Sequence, residues 1–213
     1  KFFTEKRIIV KQIIDWTDKR IWSALTSEEL YNTQNAFNLI PKIDYKAEYL
    51  IAIINSTLIS FYLKKKFLEE YKDRFQKILI KDCKEFPIKE ISLSLQQPFI
   101  EKVETMLQKN KELQTIKSNV VKLLQSRYPS LKINTKLSNW NELIFRDIGL
   151  EFEKQKMKLP LNEYVELMDY IEKERAKTLY IQQTIKFTDK EIDTMVYKLY
   201  ELTDEEIEIV ENN

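Results

Sequence analysis

The stretch IDYKAEYLIAIINSTLISFYLKKK, residues 43–66, decides how the first half of the chain folds. Its middle, residues 49–63, is apolar on almost every face, and a helix that is apolar all round is a buried helix. Asp44 stands where an N-cap residue is expected, and the apolar run is shorter than the roughly 20 residues that span a bilayer. The stretch therefore predicts one core helix of a soluble domain, which leaves the core at its three terminal lysines.

The segments around this helix favour a small strand-rich module. RIIVKQII at residues 7–14 is apolar and β-branched, which is typical of a strand. Further short strands are predicted at residues 21–22, 37–40 and 77–81. Residues 91–95 alternate between apolar residues and serine, which predicts a half-buried strand.

From Pro98 the apolar spacing changes to every three or four residues, which predicts an amphipathic helix over residues 98–126. A short helix is expected to end at Gly149, the only glycine, acting as a C-cap. Pro160 opens a helix over residues 160–183 that is the natural antiparallel partner of the first.

Two capping boxes, at Thr188 with Glu191 and at Thr203 with Glu206, predict the starts of the last two helices. The predicted fold class is therefore α+β. Residues 1–97 form a mixed module of strands around the buried helix, and residues 98–213 form an all-helical region.

The inventory of residue types excludes most common kinds of active site. The chain has no histidine, one glycine and one cysteine, Cys83. Ser-His triads, histidine-ligated metals, zinc clusters and glycine-rich phosphate loops are thereby excluded. Carboxylate or lysine chemistry, or binding, remains, and the lone cysteine fits a reducing cytoplasm.

Charge is divided unevenly along the chain. Residues 1–87 contain 16 Lys and Arg against 12 Asp and Glu, whereas residues 88–213 contain 19 against 22. A basic first part suggests a polyanionic partner. Charge alone leaves an ordinary mixed surface equally open.

Several segments in this order resemble a known family. They are RIIVKQI at residues 7–13, LYNTQNAFNLI at 30–40, EYLIAIINSTLISFYLKKKF at 48–67, FQKILIKDCKEFPI at 75–88 and IDTMVYKLYELTDEEIEIVE at 192–211. Together they resemble the C-terminal specificity domain of TaqI-like adenine methyltransferases and type IIG restriction-modification enzymes. Asn55 and Ser56 match the Asn-Ser pair of the family's buried helix.

The resemblance implies a module that grips duplex DNA and reads a short sequence. It also implies a parent protein whose upstream methyltransferase domain uses AdoMet, with Mg²⁺ a further candidate if the parent cuts DNA. This chain lacks the glycine motif, the Asn-Pro dipeptide and the nuclease motif of such parents. It is therefore expected to be a non-catalytic, cytoplasmic fragment that holds no cofactor or metal and contacts no membrane.

If the module reads DNA, basic side chains contact phosphates and amide or guanidinium groups read base edges. The predicted phosphate contacts are Lys6, Arg7, Lys19, Arg20, Lys64, Lys65, Lys66, Arg74 and Lys77. The predicted base contacts are Asn32, Gln34, Asn35 and either Arg74 or Gln76.

Each of these residues also has a structural reading. The amides of residues 32–35 can satisfy a turn, the lysine run can be a solvated helix end, and Trp16, Trp22 and Tyr31 favour packing over base stacking. Asn55 and Ser56 favour a buried hydrogen-bonded pair.

Protein-protein binding is an alternative to DNA recognition. The Lys- and Glu-rich helices could serve a protein-protein adaptor or a specificity-subunit-like scaffold without direct readout. A carboxylate-dependent nuclease at Glu28-Glu29 or Glu69-Glu70 is weaker, because adjacent acids rarely converge on one metal.

Overall fold

A computed structural model describes residues 3–14, 20–68 and 76–212. The chain divides into two compact units. The first comprises Lys1–Thr105 together with Asp189–Asn213, and the second comprises Met106–Thr188. No helix within the described residues is long and apolar enough to cross a membrane.

The first unit contains a three-stranded antiparallel sheet with the order β2-β1-β3. The strands are β1 (Arg7–Lys11), β2 (Ser23–Thr26) and β3 (Ala36–Leu39). The predicted strands at residues 7–14 and 37–40 are confirmed in type, although β1 ends earlier. The strand predicted at residues 21–22 is displaced, because β2 begins only at Ser23.

The predicted buried helix is two helices, α1 (Ala47–Ile54) and α2 (Thr57–Phe67). The prediction of one continuous helix is wrong because Ser56 begins a new helix, with its Oγ accepting from the N–H of Ile59 at 3.2 Å. Lys46, not Asp44, occupies the N-cap position of α1. The buried character is confirmed: Tyr49, Ile53 and Ile59 are fully buried.

The next two predicted strands are corrected by the structure. Lys77 makes only an isolated bridge with Ile13, and the chain then enters α3 (Ile80–Cys83). The alternating residues 91–95 are not a strand, because α4 (Leu93–Arg127) already begins there. Leu93 and Leu95 are more than half exposed, so the alternation buries no face.

Within the described residues, the elements that follow α4 are all helices, as predicted. After α4 come α5 (Thr135–Ser138), a 3-10 helix (Trp140–Glu142), α6 (Phe145–Lys154), α7 (Leu161–Leu199) and α8 (Asp204–Glu211). The core of the second unit packs Trp140, Ile148 and Phe152 between α4 and α7, with Leu124 from one helix and Leu167 from the other.

Gly149 is not a C-cap, because it lies inside α6. A Cβ at this position would meet the hydroxyl of Tyr164 at 3.3 Å. The glycine therefore allows the tyrosine of α7 to approach α6 closely.

One of the two predicted capping boxes exists. Thr188 begins no helix, because α7 runs through it and buries its side chain. Thr203 caps α8: its Oγ1 accepts from the N–H of Glu206 at 3.3 Å, and the Glu206 carboxylate accepts from the N–H of Thr203 at 2.9 Å.

The C-terminal residues close the first unit. The Asp193 carboxylate accepts from the N–H of Thr57 at 2.8 Å and from its hydroxyl at 2.7 Å, so a residue of α7 caps α2. Lys89 donates to the carbonyl of Leu199 at 2.7 Å and pairs with Glu201 at 2.9 Å. The division of the chain into a DNA-recognition domain, residues 1–97, and a helical region, residues 98–213, stays a prediction.

Candidate nucleic-acid interface

The end of the sheet brings two distant loops to one residue, Gln12. The backbone N–H of Gln12 donates to the carbonyl of Asn35 at 2.8 Å, and its own carbonyl accepts from the N–H of Ile78 at 2.9 Å. The N–H of Ile14 donates to the carbonyl of Gln76 at 3.0 Å. Loop 31–35 and segment 76–78 are therefore fixed beside one another, although more than 40 positions separate them in the sequence.

Exposed side chains cluster at this end of the sheet, which we name the sheet-end surface (Lys11, Trp22, Gln34, Asn35 and Lys77). The N–H of Lys11 donates to the carbonyl of Trp22 at 2.9 Å, which places the tryptophan beside the end of β1. Trp22 is 54% exposed, so it is not a core residue, whereas packing on the strand face, the other role favoured from sequence, stays a prediction. Lys11 was missed by the sequence reasoning, and its polar place within an otherwise apolar strand was the available signal.

Loop 31–35 contains one amide side chain that is hydrogen-bonded within the fold and two that are exposed to solvent. The Nδ2 of Asn32 donates to the carbonyl of Ala36 at 2.6 Å, and its Oδ1 accepts from Asn38 at 2.9 Å. Asn32 therefore holds the turn. In the described part of the chain, the side chains of Gln34 and Asn35 are exposed and make no hydrogen bond. These two amides remain available to an outside partner.

Tyr31 also projects from this loop. It is 72% exposed, and its ring lies 5.1 Å from that of Phe3. Its hydroxyl donates to Glu29, and this hydrogen bond raises the pKa of Tyr31 above its ordinary value. Like Trp22, Tyr31 is thus a surface aromatic and not a core residue, although its ring packs against Phe3.

The C-terminal end of α2 forms a second basic region. Lys66 lies 3.0 Å from the Glu85 carboxylate and donates to the Tyr62 hydroxyl at 2.8 Å; both contacts raise the pKa of Lys66. Lys65 is exposed and lies 5.8 Å from the centre of the Phe61 ring. Lys64 is half-buried. The end of α2 thereby lies against the segment that follows α3.

Two more lysines in that neighbourhood escaped the sequence analysis. Lys81 on α3 and Lys84 directly after it are exposed. The nearby acids are occupied: Asp82 accepts from the N–H of Leu79 at 2.8 Å, and Glu85 is paired with Lys66. The spacing of lysines through residues 77–84 was the signal that sequence reasoning could have used.

One predicted phosphate contact is wrong. Arg7 is fully buried, and its guanidinium donates to the carbonyls of Glu5 and Glu28 at 3.0 Å and of Leu30 at 2.9 Å. A buried arginine bound in this way cannot reach a phosphate. Arg7 instead fixes the start of β1 to residues 28–30, which precede loop 31–35.

Two further predicted contacts already have partners inside the unit. Arg20 pairs with Asp189 at 3.0 Å and donates to the carbonyl of Asn55 at 2.8 Å. Lys6 pairs with the buried carboxylate of Glu48 while its own side chain stays about half exposed. Their role in DNA binding stays a prediction, as does that of half-buried Gln76. Lys19 and Arg74 lie outside the described residues, as does Trp16.

Asn55 and Ser56 are both hydrogen-bonded within the fold, as the sequence favoured, with Ser56 buried and Asn55 half-buried. The Oδ1 of Asn55 accepts from the N–H of Ser23 at 3.1 Å and from its hydroxyl at 2.7 Å, and the Nδ2 donates to the Ser23 carbonyl at 3.1 Å. Ser56 donates to the Ile53 carbonyl at 2.7 Å. This pair therefore positions β2 against the α1–α2 junction.

The lone cysteine of this unit is protonated at neutral pH. Burial is the main cause that raises the pKa of Cys83 to about 12, and the neighbouring Asp82 adds to the rise. The thiolate, not the thiol, is the nucleophilic form of cysteine. Cys83 is therefore a packing residue.

Comparison with known protein families gives two matches. Residues 92–196 match a domain of unknown function, DUF8810. No curated protein and no solved structure matches the chain. Residues 1–88 match the TaqI-like C-terminal specificity domain. This match confirms the family resemblance that the sequence of the strand-rich first part indicated.

Proposed function

We propose that this chain is the sequence-specific duplex DNA recognition part of a type II restriction-modification methyltransferase or endonuclease. The family match supports a specificity domain of the restriction-modification kind. The single observation that carries the finer proposal is the joining of loop 31–35 and segment 76–78 on Gln12. That arrangement sets two unpartnered amides beside exposed lysines and an exposed tryptophan.

Base reading is assigned to Gln34 and Asn35. An amide side chain can make one bidentate pair with adenine in the major groove, in which its N–H donates to N7 and its oxygen accepts from the N6 amino group. Because neither amide has a partner within the described residues, neither must break an internal hydrogen bond to bind a base. Trp22, exposed on the same surface, offers a flat face for a sugar or an unstacked base.

Phosphate contact is assigned to Lys65 and Lys77, together with the newly found Lys11, Lys81 and Lys84. Such contacts are blind to sequence, and they weaken as the salt concentration rises, because the counterions that the protein displaces from DNA then gain less free energy on release. Lys64 and Lys66 stay in the proposal, although Lys66 must exchange its contacts with Glu85 and Tyr62 for a phosphate.

The chemistry of methyl transfer is assigned to a separate part of the parent protein. In this proposal an upstream AdoMet-dependent domain, acting in the cytoplasm, modifies adenine within the site that this chain selects. Residues 1–97 read the DNA, and residues 98–213 serve as the helical region that follows.

The test is fluorescence anisotropy of the whole chain with a labelled random duplex and with a duplex selected from a random pool. The Gln34→Ala/Asn35→Ala variant is compared with Asn119→Ala/Gln125→Ala, which removes an exposed Asn and an exposed Gln from α4. We expect the loop variant to lose about 2–6 kcal/mol of discrimination between selected and random DNA, from about 1–3 kcal/mol for each bidentate pair. The control keeps its preference.

Absence of binding to any duplex at 50 mM salt contradicts the proposal, as does selected-site preference that survives in the loop variant. A reduced affinity without reduced preference assigns the loop to phosphate contact.

A second candidate function is favoured by the apolar surface of α7. Leu179, Tyr180 and Phe187 are each more than half exposed, and Tyr180 and Phe187 lie seven positions apart on one helix face. An adaptor presents such a surface to a protein partner. Light scattering separates the candidates: loss of self-association in Tyr180→Ser/Phe187→Ser, with DNA binding unchanged, assigns this face to protein contact.

A further inference from the structure

The second unit carries the positive charge of this protein. Residues 106–188 contain 15 Lys and Arg against 10 Asp and Glu, whereas the first unit contains 20 against 24. The excess is concentrated in residues 129–136 and 154–160, which hold five lysines and no acid. The first of these segments leads into the first two residues of α5, and the second begins at the last residue of α6.

The two segments are held side by side by the side chain of Gln155. Its Oε1 accepts from the N–H of Lys132 at 2.8 Å, and its Nε2 donates to the Lys132 carbonyl at 3.1 Å. Beneath them Tyr128 and Phe152 pack edge to face, with ring centres 5.1 Å apart. The lysines of both segments are therefore fixed at one end of the second unit.

Four of these lysines form no ion pair within the described residues, although the charge of Lys136 helps to lower the pKa of Glu151. We name them the loop-end lysines (Lys132, Lys136, Lys156 and Lys158). Each is exposed, and across the described ranges none of their side chains makes a hydrogen bond or an ion pair. The nearby carboxylate of Glu151 is occupied by Lys154 at 2.7 Å and by Asn134 at 2.8 Å. These two contacts, with Lys154 the stronger, lower the pKa of Glu151.

Lys156 occupies a backbone conformation that favours glycine. Its φ is 59°, and it follows the end of α6. Its N–H donates to the carbonyl of Glu153 at 2.8 Å, and that of Met157 donates to Phe152 at 3.0 Å. This is the Schellman ending, in which the left-handed position is usually glycine. A lysine held there at a conformational cost points to a use for its charge.

We propose that the loop-end lysines form a second contact to duplex DNA, made to phosphates alone. This inference rests on the proposed function, and it assigns a role to the domain of unknown function. The surface has no free amide for base reading, because Gln155 is engaged with Lys132. A membrane is a poorer fit: Leu131 is buried, and Ile133, Met157 and Leu159 pack on the core, so the two segments themselves present no apolar face to lipid, although Leu161 directly after them is exposed.

The experiment compares the whole chain with two triple variants of equal charge change. Lys132→Gln/Lys156→Gln/Lys158→Gln alters the proposed surface. Lys122→Gln/Lys173→Gln/Lys186→Gln removes three exposed, unpaired lysines elsewhere in the described part of the same unit. Affinity for a random 30-base-pair duplex is measured between 50 and 200 mM salt.

Three lost phosphate contacts reduce the slope of log affinity against log salt by about 2.7. The affinity lost between 50 and 200 mM salt should therefore be about 40-fold smaller in the loop-end variant than in the unaltered chain. The control triple keeps a slope close to that of the unaltered chain. Equal slopes for the two variants overturn this inference and leave base reading by the first unit intact.

Lys156→Gly gives a readout that a purely structural role cannot imitate. Glycine relieves the left-handed backbone, so we expect the urea midpoint of unfolding to rise while affinity for DNA falls. Unchanged affinity in this variant contradicts the inference. Failure of the unaltered chain to bind any duplex contradicts both this inference and the proposed function.

Discussion

Replacement of Asn55 by alanine tests how the α1–α2 junction holds the sheet. Asn55 makes three hydrogen bonds to one residue, Ser23 at the start of β2: two accepted by its Oδ1 and one donated by its Nδ2. At about 0.5–1.5 kcal/mol each, they total about 1.5–4.5 kcal/mol. Because the site is only partly buried, water replaces some of them, and we expect Asn55→Ala to cost about 2 kcal/mol.

Ser23→Ala is the matched control. It removes the hydroxyl bond to Asn55 at 2.7 Å and leaves both backbone bonds in place. We expect it to cost about 1 kcal/mol or less. Both single variants lose the hydroxyl bond, whereas the double variant can lose it only once. The double variant should therefore cost less than the sum of the two single costs, by about the value of that bond.

Urea unfolding followed by tryptophan fluorescence and circular dichroism measures all three variants. The reasoning is refuted if Asn55→Ala costs no more than Ser23→Ala, or if the two costs add fully. The salt dependence of DNA binding should be the same in all three variants, since neither side chain belongs to the proposed phosphate contacts.

Two further predictions concern buried charges of the first unit. Arg7→Met should destabilise the chain by about 3 kcal/mol or more, because it leaves the carbonyls of Glu5, Glu28 and Leu30 without their donor. Urea unfolding measures the free energy lost, and a cost below that of Lys65→Ala contradicts the buried role of Arg7. Burial is the main cause that raises the pKa of Asp193 above its ordinary value, so the folded state binds this proton more tightly than the unfolded state. The contribution of Asp193 to stability therefore falls as pH rises from its ordinary value through the raised one. The difference in unfolding free energy between the unaltered chain and Asp193→Asn should decrease between pH 4 and 7, and an increase contradicts the assignment.

Sequence reasoning succeeded where a local pattern has only one physical outcome. The apolar run at residues 49–63 had to be buried, and the Thr203 capping box had to begin a helix because both of its bonds are local. The predictions failed at Ser56 and at Thr188, and one property of serine and threonine explains both failures. Serine and threonine can cap a helix or lie within one, and the surrounding packing decides which.

The candidate site was predicted in its residue types more than in its geometry. Gln34, Asn35, Lys65 and Lys77 are exposed, in keeping with a role in binding. Arg7 resembled them in charge, yet it is buried, because its guanidinium donates to the carbonyl of nearby Glu5 and to those of distant Glu28 and Leu30. Nothing in the sequence indicates that the distant carbonyls meet Arg7.

The sequence by itself determined the α+β class, the buried character of α1 and α2, the helical remainder and the resemblance that the family match confirms. Each depends on composition or on contacts between residues close in the chain. Only the tertiary structure decided that loop 31–35 meets segment 76–78 on Gln12, and that Asp193 returns to cap α2. These contacts join residues dozens of positions apart. The backbone bonds of Gln12 carry no side-chain signature, and no nearby pattern in the sequence marks the Asp193 carboxylate as the one that caps α2.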